Sequence, residues 1–138
     1  IISVSMLIGH FAVNTDIFNQ LFSTMHSGMI PGWWALMITP LVMMVASLVG
    51  VHPVISSVAL LSVFSNGNAD VHPALLMQAH LIGWGAGTMT SVASLSAITC
   101  ANLFNIPIRQ IVLGPNLPVA LAYAVLGGAV LSLVNLAL

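Results

Sequence analysis

The chain has 138 residues, of which 59% are hydrophobic and only three are charged: Arg109, Asp16 and Asp70. A water-soluble domain is about 25% charged, because folding never hides its whole surface and the remainder must meet water. That balance excludes an ordinary soluble domain and a nucleic-acid-binding surface, and a single cysteine, Cys100, excludes an internal disulfide.

A bilayer reverses those demands. It favours an apolar exterior and disfavours charge at a helix centre by roughly 2.5–3.5 kcal/mol per residue. A spanning helix needs about 20 apolar residues, so the length allows four or five segments, some short or broken. No period-two alternation speaks for a barrel. The expected class is an all-α integral membrane protein with a re-entrant helical hairpin and a broken helix, placed in a bacterial inner (cell) membrane. The chain starts at Ile1, and it reads as a piece of a longer membrane protein.

In chain order, residues 1–28 suggest the end of a span (Ile1 to Val13) and then an amphipathic interfacial helix. In the latter, Ile17, Phe18, Leu21, Phe22 and Met25 recur at helical spacing. Residues 31–64 suggest a hairpin. Pro31 suits a first helical turn, Trp33 and Trp34 an aromatic belt, and Pro40 a kink. The run stops at Gly50-Val51-His52-Pro53 and resumes from Val54 to Phe64. The turn is short and uncharged, so a reversal inside the membrane fits better than two full spans. Ser65-Asn66-Gly67-Asn68-Ala69-Asp70 reads as an interfacial loop.

Residues 73–104 suggest a broken helix. Pro73 starts it, and Gly85 to Ser94, rich in glycine and hydroxyls, is expected to unwind. A short surface segment, Pro107 to Leu113, carries Arg109, and 117–138 is the cleanest span, with Gly127-Gly128 permitting close packing.

Two constellations carry the expected chemistry. At the hairpin tip, Gly50, His52, Pro53, Ser56 and Ser57 surround a turn whose backbone groups lack intrahelical partners. The N-terminus of the second arm suits an anion, and the carbonyls ending the first arm suit a small cation. In the broken helix, Gly87, Thr88, Thr90, Ser91 and Ser94 offer hydroxyls and freed carbonyls. Paired uncharged discontinuities are the pattern of a secondary carrier, although Gly, Ser and Thr also occur wherever membrane helices pack closely. The five histidines form no metal-ligand pattern, and His10, His26, His72 and His80 read as helix-end or interface residues. His72 and His80, eight apart, fall roughly on one helix face. Val-His-Pro occurs at 51–53 and again at 71–73, each time as a helix start. No catalytic constellation is present in the sequence, so an enzyme is not expected.

From Pro31 onward the order of parts resembles the C-terminal half of the ion transporter superfamily, which includes divalent anion:sodium symporters and arsenite and sodium-proton antiporter-like carriers. The parts are a hairpin with a polar tip, a loop, a broken helix, a short surface helix and a last span. The stretch Pro107 to Pro118 is similar to the connection into the last helix of that group. The symporters carry Ser-Asn-Thr at both discontinuities. Here the tip reads Gly50-Val51-His52-Pro53-Val54-Ile55-Ser56-Ser57 and the break Gly87-Thr88-Met89-Thr90-Ser91-Val92-Ala93-Ser94. The resemblance implies a secondary active transporter moving a small anionic solute by symport or antiport with sodium or protons, and no cofactor other than a sodium ion. It also implies an inverted repeat upstream that completes the carrier, with the lipid bilayer and a second copy in a homodimer as further partners. Two other classes are open: a non-transporting membrane anchor or scaffold subunit, with continuous helices at both stretches, and a membrane-embedded enzyme in which histidines converge with Asp70.

Overall fold

The computed structural model describes residues 30–66 and 69–138, which are all-helical apart from turns and connections. The expectations for 1–28 lie outside these residues, as do two positions of the polar loop. Six helices are described: α1 (Gly32–Leu48), α2 (Pro53–Asn66), α3 (Pro73–Thr90), α4 (Leu95–Phe104), α5 (Ile108–Val112) and α6 (Asn116–Ala137). The stretches Pro73–Phe104 and Ile108–Ala137 are each long and apolar enough to cross a membrane, by length and composition; α1 and α2 are shorter.

The core is a three-helix bundle of α1, α3 and α6, with α2 packed on α1 and, more loosely, on α3. Small residues set the helix spacing. On α3, Ala79, Gly83 and Gly87 are buried. On α6, Ala120, Ala124, Gly128 and Ser132 recur every fourth residue and are all buried. Such stripes let helix backbones approach closely where large side chains would hold them apart.

The glycine contacts fix the directions. Gly83 lies over Pro40 and Met43, and Gly87 over Met43 and Ser47, so α1 and α3 run parallel. Gly128 lies over Leu36 and Met37, and the Ser132 hydroxyl donates to the Trp33 carbonyl at 3.4 Å, so α6 runs antiparallel to both. Between these parallel helices the chain must return, and α2 is the return.

Pro40 does not interrupt α1, although it has no N–H to give the Leu36 carbonyl. Beside it, the Thr39 hydroxyl donates to the Ala35 carbonyl at 2.7 Å. Helix α5 is a single turn bearing Arg109, separated by three residues from the final long helix. Helices α4 and α5 pack on each other and on the ends of α3 and α6, beyond the three-helix core.

The outside of the bundle is apolar and its inside partly polar. Leu81, Leu126, Val130, Leu133 and Leu136 are exposed, whereas Thr39, Ser47, Ser56, His80, Thr90, Ser91 and Ser132 are buried. At the end where α1 begins, Asn135 of α6 clamps the connection into α3. Its Oδ1 accepts from the His72 N–H and its Nδ2 donates to the Asp70 carbonyl, both at 3.1 Å. Asn135→Ala removes two hydrogen bonds at a solvent-accessible site, and it is expected to cost about 1 kcal/mol, measured as a lowered unfolding midpoint by tryptophan fluorescence.

Candidate functional site

The hairpin tip is built from a helix C-cap followed by a helix N-cap. Gly50 has φ +86, and the Val51 N–H donates to the Ala46 carbonyl at 2.9 Å while the Gly50 N–H donates to the Ser47 carbonyl at 3.1 Å. This is a Schellman ending, which requires a residue comfortable in the left-handed region. The Val45 carbonyl also accepts, from Val49. The carbonyls expected to suit a cation are therefore already engaged by the turn.

The second arm is likewise self-capped. Pro53 is the first helical residue. The His52 Nδ1 accepts the Val54 N–H at 3.3 Å, and its carbonyl accepts the Ile55 N–H at 2.9 Å. The Ser56 hydroxyl turns back to the Pro53 carbonyl at 3.1 Å. Two donors expected to hold an anion are thus filled by His52. The repeated Val-His-Pro has the same physical reason at its second occurrence, where His72 Nδ1 accepts the Ala74 N–H at 3.3 Å. In both places a histidine ring does the work usually given to Ser or Asp, and proline follows where no N–H is needed.

In α3 the expected unwinding from Gly85 is corrected to a shorter break. The helix is regular through Thr90, and the interruption is confined to 91–94. The threonines are held inside the helix by back-bonding: Thr88 Oγ1 donates to the Gly85 carbonyl at 2.8 Å, and Thr90 Oγ1 to the Ala86 carbonyl at 3.1 Å. Gly87 is a packing residue and not a hinge, since a Cβ there would stand 2.5 Å from Ser47 Oγ. At the break, Ser91 and Ser94 are extended. Ser91 Oγ accepts the Ala93 N–H at 3.2 Å, and the Ser94 and Ser96 hydroxyls lie 2.7 Å apart. Ser94 occupies the N-cap of α4 without a side-chain cap bond.

Three contacts join the hairpin to α3 ahead of the break. The His52 ring meets Trp84 edge-on, with centroids 6.2 Å apart and planes at 89°. The Ser57 backbone lies beside the His80 ring. Ser47, on the last turn of α1, sits against Gly87, on the last turn of α3. Among the described residues, no hydrogen bond links the side chains of Ser56 or Ser57 to Thr88, Thr90, Ser91 or Ser94.

Two interior polar groups lay outside the sequence expectation. Ser47 Oγ and His80 Nε2 are buried and have no hydrogen-bond partner among the described residues. His80 is an interior residue of α3 and not a helix-end one, and it does not pair with the exposed His72. Ser47 carries a weak sequence signal, being the one hydroxyl in the last turns of an otherwise apolar arm. Among the described residues, no group of three His, Cys, Asp or Glu could hold a metal ion. No family model, curated protein or solved structure matches the chain.

Proposed function

We propose that this chain is the membrane-embedded C-terminal half of a secondary carrier, moving a small anionic solute coupled to sodium or protons. The single observation that supports this is that the parallel helices α1 and α3 end side by side, with Ser47 in the last turn before the 49–52 turn lying against Gly87 in the last turn before the 91–94 break. Carriers place solute where two discontinuous helices face each other, because only there do buried backbone groups lack partners within their own helix.

The lengths agree with this placement. Helices α1 and α2, of 17 and 14 residues, fall short of the roughly 20 needed to cross. The α3–α4 stretch is 32 residues long with its break inside it. A hairpin that turns back within the bilayer, beside a span broken at the same level, fits both lengths. The apolar exterior faces lipid in this reading. The solute-facing groups are Ser47, Ser91 and Ser94, with the uncapped first turn of α4 supplying N–H groups to an anion. The anchor or scaffold reading accounts for the regular packing of residues 85–90 but gives no reason for a break at 91–94.

The test is uptake by proteoliposomes of labelled carboxylates, phosphate and sulfate under a sodium or a pH gradient. Ser47→Leu with Ser91→Leu is expected to lower gradient-driven uptake at least about tenfold, equivalent to about 1.4 kcal/mol, while the protein stays inserted. Uptake equal to the parent's would remove these residues from the solute path, and no uptake of any anion by the parent would remove the carrier.

A further inference from the structure

His80 is the one titratable side chain buried inside the described bundle. It sits in the middle of α3 and is 4% exposed. Its Nδ1 lies 2.8 Å from the Leu76 carbonyl. A carbonyl can only accept, so Nδ1 carries the hydrogen. The neutral ring must then present a bare lone pair at Nε2, and Nε2 has no partner among the described residues. A buried acceptor left without a donor is costly, and more so in a low-dielectric interior.

Across the helix gap the ring lies beside the backbone of Ser57, on the second arm of the hairpin. A carbonyl there cannot satisfy a lone pair, but it can accept from an N–H. The surroundings therefore complement the doubly protonated ring, with one carbonyl on α3 and one on α2. No other titratable group among the described residues competes for that role. Helix α1 has none, and α2 has none along its length. On α6 only Tyr123 titrates, and it lies against Gly85. His52 is one turn further on, at the edge of Trp84. Asp70 lies at the Asn135 clamp, and Arg109 is exposed on α5. No carboxylate among these residues neutralises a charge on the ring, so an anionic solute is the counter-charge the site lacks. An ionisable residue inside a membrane bundle, without a structural partner, is where a transported proton would be expected to reside.

We infer that His80 binds the coupling proton of this carrier: Nδ1–H stays on the Leu76 carbonyl, Nε2 takes up the proton, and the imidazolium then holds the Ser57 carbonyl, tying the hairpin's second arm to α3. Loss of the proton releases that arm. The purpose of the proton rests on the carrier reading, whereas its binding site does not.

Two measurements separate these. Nitrogen-15 histidine NMR of the full chain in lipid nanodiscs, between about pH 5 and 9 to bracket the ordinary histidine value, should show His80 Nδ1 protonated throughout. Nε2 should change from bare to protonated as pH falls, and the Ser57 carbonyl carbon should shift with it. A bare Nε2 across the whole range, or a neutral ring protonated at Nε2, overturns the inference whatever the flux assays give. In proteoliposomes, a pH gradient should drive uptake of the carboxylate probe and a sodium gradient should not. His80→Gln should lose the pH-driven uptake at least tenfold yet keep counterflow of the same probe. Retained pH-driven uptake in His80→Gln also overturns it. If His80 titrates as described but the parent shows no counterflow of any anion, the carrier reading falls and the proton site stands.

Discussion

Gly83→Ala is expected to lower the free energy of unfolding by about 2 kcal/mol, whereas Gly85→Ala, two residues along the same helix, is expected to be close to neutral. Each substitution gains up to about 1 kcal/mol of helix propensity. The difference is what the new methyl meets. At Gly83 a Cβ would stand 2.8 Å from Met43 Sδ and 3.0 Å from both Met43 Cβ and Pro40 Cα. The sulfur can move away. The proline backbone cannot, because its ring fixes φ and it lies at the centre of α1. Overpacking of this kind typically costs 1–3 kcal/mol. At Gly85 the methyl would meet the edge of Tyr123 at 3.2 Å, and that half-exposed ring can give by a few tenths of an ångström. Denaturant unfolding followed by tryptophan fluorescence measures both. Equal effects at the two glycines would mean that α1 and α3 do not run parallel in contact.

That pair of glycines also marks how far the sequence could be read. The apolar composition, the helix starts at Pro53 and Pro73 and the last long helix follow from local chemistry: a proline wants the first turn, and a glycine wants the left-handed C-cap. Those are one-dimensional signals. The distinction between a glycine that unwinds a helix and a glycine that packs it is not local. Gly87 sits among threonines in either case, and only the neighbour across the gap, Ser47, decides. The Thr88 and Thr90 hydroxyls, expected to face a solute, spend themselves on their own helix for the same reason. In a chain so poor in polar groups, a hydroxyl without a tertiary partner bonds the carbonyl three or four residues back.

The candidate site is legible to a similar degree. Turn and break stand near their expected places, at 49–52 and 91–94. What the residue types did not convey is that the hairpin tip caps itself. His52 fills two donors of α2, and Gly50 lets the chain return two N–H groups to the end of α1. Polar backbone in an apolar chain is satisfied by the cheapest nearby group, which here is the chain itself. The groups left over, Ser47 Oγ and His80 Nε2, are the ones a sequence cannot rank, since their isolation is a property of the packed bundle.

Gly128→Ala is expected to cost about 2 kcal/mol in the parent chain and about 1 kcal/mol less in a Pro40→Ala background. The argument starts from the hydrogen bond that Pro40 cannot make. Without its N–H, the Leu36 carbonyl has no partner at the usual position four residues on. The helix that comes against it is α6, and it does so at a glycine: a Cβ on Gly128 would stand 3.0 Å from Leu36 O and 3.2 Å from Met37 Cα. Both are backbone atoms, so relief requires moving one helix from the other. With only hydrogens on Gly128 Cα, the orphaned carbonyl meets a weak C–H donor, a contact worth about 0.5–1 kcal/mol. Restoring an N–H at residue 40 gives Leu36 O a proper partner and draws it back into its own helix. The methyl at 128 then has less to displace. The two substitutions are close enough to couple, and contacting residues commonly do so by 0.5–3 kcal/mol. A double-mutant cycle on unfolding free energies measures the term, and strict additivity would sever the link between the proline in α1 and the glycine in α6.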